Sequence, residues 1–335
     1  VLAVGGAIAC AWCRDKDPSR CTWGGWSRTC LKGWWPFLKL AGPGTVMVCA
    51  EWWSFEVVAI GAGWLGKPLA KFLSTIGHQV TVSRTTAKGC QALQEEGMQA
   101  FIADLNHDIE PLTEELIRQQ SEIVIGCFPP GFRRGHGDSY AQQWQHLVSA
   151  CQAAKVHKIV MISSTTVYPS IAEDMTEDKA NLTLAMHNEL FSDNARIMLT
   201  AEQTVIDSGL KFAIVRPSGL IGPDRNPARF AARLKTVSTT APANMIHQLD
   251  AVGIVSFCAL KEGNQTVNAT TPFTVSKAEF YQQAIDLSGN DIALPPIVDQ
   301  ADKRIVADRI ESLGYRFHFT HTLEALNHIA EHEHG

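Results

Sequence analysis

Cationic side chains are in short supply in this chain. Its 335 residues carry 29 Lys and Arg against 34 Asp and Glu, a formal net charge of −5. With no basic surplus and no basic stripe, an electrostatic nucleic-acid binder is not expected. Nor does any apolar stretch reach the roughly 18 residues that a membrane-spanning helix needs. Repeats of 20–50 residues and low-complexity linkers are missing too. Charged residues make up 19 % and hydrophobic ones 45 %, which leaves enough apolar material for a sizeable core. The length suits one large α/β domain or two small ones. A cytoplasmic protein with no nucleic-acid and no membrane partner is the expectation.

Cysteine is present but badly placed for disulfides. The count is nine, an odd number, and five of them (Cys10, Cys13, Cys21, Cys30, Cys49) fall in the first fifty residues. Cys90, Cys127, Cys151 and Cys258 are scattered through apolar or helical segments, where a free thiol acts as a small hydrophobe. This suits a reducing compartment. The first 53 residues also hold seven of the nine tryptophans and show neither helical nor strand periodicity. A thiolate metal module on Cys10-x-x-Cys13 lacks the second close pair, and a secretory signal lacks its basic leading region. Residues 1–53 are therefore read as a poorly packed, non-native leader, such as translated upstream sequence before a start near Met47.

From Phe55 onward, strands and helices alternate. FEVVAIG is a β-rich run ending in glycine, and WLGKPLAKFLSTIG places Leu65, Leu69, Phe72, Leu73 and Ile76 at helical spacing. HQVTVS, MQAFIAD, SEIVIGCF, HKIVMISS, KFAIVRP and QTVNAT are further strands. Helices are expected over 87–97, 111–120, 138–154 and 197–208, with a loop-rich insertion before the last. The fold class is α/β: a Rossmann-type doubly wound parallel sheet with a smaller C-terminal substrate lobe drawn from about 169–195, 220–245 and 265–325.

Four stretches carry chemistry. Gly61-Ala62-Gly63-Trp64-Leu65-Gly66 follows a strand and opens a helix, the context in which a GxGxxG turn holds a pyrophosphate at a helix N-terminus. Strand two ends in Ser83-Arg84-Thr85. An NAD-binding chain usually has a carboxylate there for the ribose hydroxyls. A guanidinium flanked by hydroxyls suits a 2′-phosphate, so the cofactor is expected to be NADP(H), with NAD(H) as the alternative. Asp104, after strand three, either hydrogen-bonds adenine or caps a turn. Ser163-Ser164-Thr165-Thr166-Val167-Tyr168 closes strand five, at the edge of the sheet where ligands sit in such folds.

These stretches, with VRPSGLIGPDRNPARF and NMIHQLDAVGIV following in order, resemble the extended short-chain dehydrogenase/reductase superfamily from about residue 56 to about 325. The wording is close to its YeeZ-like atypical branch, whose members are NAD(P)-binding and epimerase- or dehydratase-like. The resemblance implies that Gly61, Gly63, Trp64, Leu65 and Gly66 form the pyrophosphate loop, and that Ser83, Arg84 and Thr85 face the ribose. It places Cys127, Phe128 and Pro129 beside the cofactor after strand four. Arg216 and Pro217 line the nicotinamide side with Ser218 next to the substrate, and Ser164 takes the catalytic Ser/Thr position. Arg225, Arg229 and His247 are implied to bind a polar small-molecule substrate, phosphorylated or nucleotide-linked. A homodimer is one arrangement open to such a protein.

One departure stands out. The superfamily's working pair is Tyr-x-x-x-Lys, in which lysine lowers the tyrosine's pKa for proton exchange. None of the four tyrosines, Tyr140, Tyr168, Tyr281 and Tyr315, has lysine four residues on. Anchoring the relevant helix on Glu202 puts Asn194 and Met198 at those positions. Tyr168 and His187 are substitutes of lower standing. Two functions follow: an oxidoreductase or epimerase with an atypical active site, or a non-catalytic NADP(H)-binding sensor or scaffold. A 3-hydroxyacid dehydrogenase, with its all-helical second domain, is disfavoured by the strands KFAIVRP and QTVNAT. His328, His332 and His334 crowd the C-terminus and are read as a frayed, solvated end, with no metal site.

Overall fold

A computed structural model describes residues 54–132, 135 and 137–333, with the side chains of residues 138 and 333 excepted. The leader expected at 1–53 and the tail histidine His334 lie outside the described residues.

The sheet is built from β1 (Glu56–Ile60), β2 (Gln79–Arg84), β3 (Gln99–Ile102), β4 (Ile123–Gly126), β5 (Lys158–Ile162), β7 (Lys211–Pro217) and β11 (Gln265–Ala269). Their order is β11-β7-β5-β4-β1-β2-β3, with every pairing parallel. The direction of winding reverses between β1 and β4, the switch point at which doubly wound sheets open a crevice. Strand alternation sorts the core. Val58, Val124, Ile159, Met161 and Ile214 face one side and Val57, Ile123, Ile125, Val160 and Val215 the other. Both faces are covered, so β4 is buried at all four positions.

On one face lie α1 (Gly66–Thr75) and α8 (Gln248–Leu260); on the other, α3 (Glu110–Arg118), α4 (Gly137–Ala153) and α6 (Asp193–Ile206). The helix α2 (Ala87–Glu95) packs at the β2–β3 end. The smaller lobe is assembled from short pieces. These are β6 (Asp174–Met175) with β13 (Arg304–Ile305), β8 (Gly219–Ile221) with β10 (Met245–His247), and β9 (Val237–Ser238) with β12 (Ile297–Val298). The helices α5 (Leu182–Met186), α7 (Pro227–Ala231), α9 (Lys277–Ser288), α10 (Asp308–Ser312) and α11 (Thr322–Glu333) complete it. A separate apolar cluster, including Ile221, Ala231, Phe280, Phe319, Leu326 and Ile329, holds α7, α9 and α11 together.

All seven sheet strands fall where the sequence pattern put them. Two helices differ. The helix expected at 197 starts four residues earlier, because the Ser192 hydroxyl accepts the Ala195 amide and caps it. The segment 248–260 is a helix with apolar side chains on every side, so no helical periodicity marks it.

Gly126 shows how tightly the crevice floor is packed. A Cβ there would stand 2.3 Å from Trp144 Cη2, and Trp144 is fully buried. Gly126→Ala is expected to cost about 1–3 kcal/mol through overpacking. A urea-unfolding midpoint unchanged from the parent would contradict this.

Candidate functional site

The glycine turn joins β1 to α1. Gly61 adopts φ +91°, a left-handed conformation that favours glycine, and a Cβ on it would press the Phe128 amide at 3.3 Å. Gly66 is needed for another reason: its Cβ would meet the Gly61 carbonyl oxygen at 2.6 Å, so glycine lets the helix sit directly on the turn. Gly63 is open, with only that same oxygen within 4 Å of a would-be Cβ. No side chain caps α1. Lys67 and Leu69 donate to the Gly63 and Leu65 carbonyls and Pro68 has no N–H, so the Gly66 amide is the one in the helix's first turn left for an anion. The turn therefore has the space, the donors and the dipole that a pyrophosphate needs.

Ser83 braces the turn. It is buried, and its Oγ accepts the Gly61 amide at 3.2 Å while its carbonyl accepts from Ala62 at 3.0 Å. Beside it runs a shallow groove lined by Gly61, Ser83, Arg84, Thr85, Asp104 and Phe128, among others. The Arg84 side chain lies over the first turn of α2, where Gly89 leaves room for its stem, and its Nε is buried without a partner. Asp104 uses Oδ1 to accept the Asn106 amide at 3.0 Å and the Asn106 side chain at 2.8 Å. It is a turn former that also borders the groove.

The groove continues into a cavity of about 820 Å³ lined by Thr85, Phe128, Pro129, Phe132, Ser139, Thr166, Asn194 and Arg225, among others. Phe128 is held there by ring contacts with Trp144 at 4.8 Å and Tyr140 at 5.8 Å. The thiol of Cys127, pushed up to about 12 by burial, is no nucleophile at neutral pH. Ser164 stands one step back. Its Oγ accepts the Thr166 amide at 3.1 Å and lies 2.9 Å from Thr166 Oγ1, so its own proton is available to Thr166, whose hydroxyl borders the cavity. Asn194 lines the cavity from α6, whereas Met198 is sealed in the core. Among the described lining residues, Arg225 alone carries a charge.

Two residues expected at this site point elsewhere. The Arg216 side chain is 3 % exposed and does not line the cavity. It pairs with Glu202 at 2.6 Å and 3.0 Å and donates to the Tyr168 hydroxyl, the Glu177 carbonyl and the Ala180 carbonyl. All five guanidinium donors are used inside the protein. Tyr168 is likewise interior: its hydroxyl donates to Asn268 Oδ1 at 2.6 Å, and burial pushes it up to about 12. Neither can exchange a proton with a ligand. Pro217 and Ser218 are buried as well.

The lobe reaches back to the glycine turn through Trp64. Its indole donates to the Pro223 carbonyl at 2.7 Å, and the Arg225 guanidinium lies over its ring at 4.3 Å. Gln248 donates to the Trp64 carbonyl at 2.8 Å. Arg229 and His247 line a different cavity, beyond the same loop. The expectation of a frayed tail is corrected as well. Ala325, Leu326 and Ile329 bury α11 in the lobe, and His328 packs against His247 with ring centroids 5.1 Å apart. Spacing along the sequence could not show that the helix has an apolar face to dock. His187 follows α5 and borders none of these cavities. Among the described residues, no group of three His, Cys, Asp or Glu side chains is placed to hold a metal ion, and no helix is long and apolar enough to cross a membrane.

A parallel sheet with this order, opening at a glycine turn, defines a doubly wound dinucleotide-binding protein. A family model described as NAD(P)H-binding matches residues 61–250, more than half of the chain. The chain belongs to that family. Protein YeeZ of Escherichia coli K12 is 28 % identical over 236 residues, 70 % of this chain and 84 % of that protein. A candidate NAD-dependent epimerase/dehydratase of Methylobacillus flagellatus superposes with TM-score 0.66 at 23 % identity, over 84 % of this chain and 99 % of that one. The Bordetella bronchiseptica enzyme WbmH, solved with NAD+, superposes with TM-score 0.67 at 17 % identity, over 84 % and 98 %. At those identities the two solved structures speak for the fold alone.

If Arg216 is interior scaffolding, removing it should act on folding. Arg216→Met would strand the Glu202 carboxylate in the core and is expected to cost about 3–5 kcal/mol, measured by chemical denaturation. A stable variant with selectively lost cofactor binding would return Arg216 to the cofactor site.

Proposed function

We propose that the chain binds NADP(H) across the glycine turn and works as an oxidoreductase or epimerase on a small polar substrate that carries an anionic group. The observation that carries this is Arg84, a guanidinium with an unpartnered buried Nε at the end of β2, where a carboxylate would serve NAD. In this reading the amides of Trp64, Leu65 and Gly66, at the start of α1, hold the pyrophosphate, and Arg84 with Thr85 takes the 2′-phosphate. Asp104 and Asn106 edge the adenine, and Phe128 and Pro129 flank the nicotinamide half. The bound cofactor would supply or accept the hydride.

The chain's own residues have narrower tasks. Thr166, supported by Ser164, and Asn194 offer hydrogen bonds to the oxygen at the reacting carbon. Arg225, braced on Trp64, meets the anionic group. Because Trp64 belongs to the glycine turn, cofactor and substrate would press on one connected element. Neutral donors of this kind hold an oxygen in place but are poor general acids; a well-matched acid contributes about 10²–10⁴-fold. Slow turnover is therefore expected. A second reading, a sensor or scaffold that binds NADP(H) without turnover, is favoured by one observation: α6 offers the cavity Asn194, while Met198, four residues on, is buried.

Arg84→Ala should weaken NADPH binding by about 10–100-fold, the loss of charge-assisted hydrogen bonds, while leaving NADH binding almost unchanged. Titration of both cofactors by fluorescence or calorimetry measures this, and equal effects on the two would refute the 2′-phosphate role. A panel of sugar nucleotides and phosphorylated sugars assayed with NADPH separates the readings. Turnover that falls in Thr166→Val supports the enzyme; tight NADPH binding without turnover on any of them supports the sensor.

A further inference from the structure

The 222–230 loop has two faces. Arg225 turns toward the cavity already described, whereas Asp224, Asn226 and Arg229 line a second cavity of about 480 Å³. Its other walls are His247 at the end of β10, Ser288 at the end of α9 and Asn290 just after it, and His328 and His332 on α11. No residue of the glycine turn borders it, and neither do Phe128, Thr166 or Asn194.

His247 gives the cavity its chemistry. The residue is 1 % exposed. Its Nδ1 accepts the Leu249 amide at 3.1 Å, capping α8. A neutral imidazole that accepts through Nδ1 carries its proton on Nε2. That Nε2 is buried with no partner, and His247 is one of the residues that line the cavity, so the ring carries a donor with nothing to receive it. Such a group is costly unless an acceptor arrives. The ring cannot turn away: it is wedged against Phe319 at 4.7 Å and His328 at 5.1 Å between ring centroids. Asp250, one turn along α8, holds this packing in place by accepting from the His318 and Phe319 amides and the Tyr315 hydroxyl.

The surroundings favour an acceptor with negative charge. His328 has a buried Nδ1 without a partner. His332 stacks on it at 4.2 Å, with Nδ1 donating to the His328 carbonyl at 2.8 Å. His318 lies 6.2 Å from His328. Burial, together with these neighbouring imidazoles, keeps His247 uncharged near neutrality, so it meets a ligand as a neutral donor. Arg229 adds a cation and Asp224 the one opposing carboxylate among the described lining residues. The volume is that of a site for a small organic molecule, well beyond a single water. A metal is disfavoured, because His247 Nε2 holds a proton and His332 Nδ1 is spent on a carbonyl.

We propose that this cavity is a second binding site, distinct from the cofactor cleft, for a small metabolite bearing an oxyanion (phosphate or carboxylate) that accepts a hydrogen bond from His247 Nε2. The test uses the intact chain, titrated with inorganic phosphate in one arm and citrate in the other. Calorimetry and the imidazole NMR signals are followed together. The expected result is saturable binding that moves the His247 and His328 signals, with the more effective arm naming the oxyanion. His247→Asn can keep an oxygen for the Leu249 amide while removing the donor into the cavity, and should weaken binding about tenfold. If that variant does not fold, His328→Phe carries the same expectation. Arg84→Ala should leave this binding intact, which separates it from any phosphate held in the cofactor cleft. Unmoved His247 and His328 signals in both arms, undiminished binding in the histidine variants, or binding abolished by Arg84→Ala would overturn the proposal.

Discussion

The ion pair between Arg216 and Glu202 is the joint on which the two parts of this protein turn. One guanidinium, fully enclosed, ties β7 to α6 through the Glu202 carboxylate. It also reaches the 177–180 turn of the lobe through two carbonyls and the β5 edge through Tyr168. Ser163 adds a hydrogen bond to the same carboxylate at 2.5 Å. Tyr168 passes the network to Asn268, whose amide group holds the Met175 and Val306 carbonyls. A buried pair of this kind adds little net stability over an apolar replacement, yet is expensive to break. What it supplies is placement: three strand ends and the lobe's first turns are held in one geometry.

That use of polar groups decides what remains for ligands. Arg216, Tyr168 and Glu202 are consumed by the joint, so the cavity beside it is lined by neutral donors and by Arg225. Trp64 makes the complementary connection from the other side, carrying the glycine turn to the 222–230 loop. The crevice is bounded by a rigid polar joint at one side and an aromatic bracket at the other.

Much of this was legible in the sequence for physical reasons. Sheet strands buried on both faces must be continuous apolar runs, and GxGxxG after such a run has few alternatives. Arg84 could be picked out because a charge at the end of β2 stands where the ribose lies in such folds. That no tyrosine is followed by lysine four residues later was visible as well. The less legible features depend on partners distant in sequence. Nothing local distinguishes Arg216, interior and paired, from an arginine facing a nicotinamide. Nothing near His328 announces that α11 docks against β10.

The sequence by itself determined the sheet, its order of strands and helices, and the glycine turn, because periodicity and turn chemistry are local properties. Tertiary structure alone decided which side chains at the strand ends are free. Tyr168 and Arg216 meet Asn268 and Glu202 across 100 and 14 residues, and His247 meets His328 across the whole lobe. Burial and hydrogen-bond satisfaction are settled by such encounters, and they divide the polar residues that hold the fold together from those left to meet a ligand.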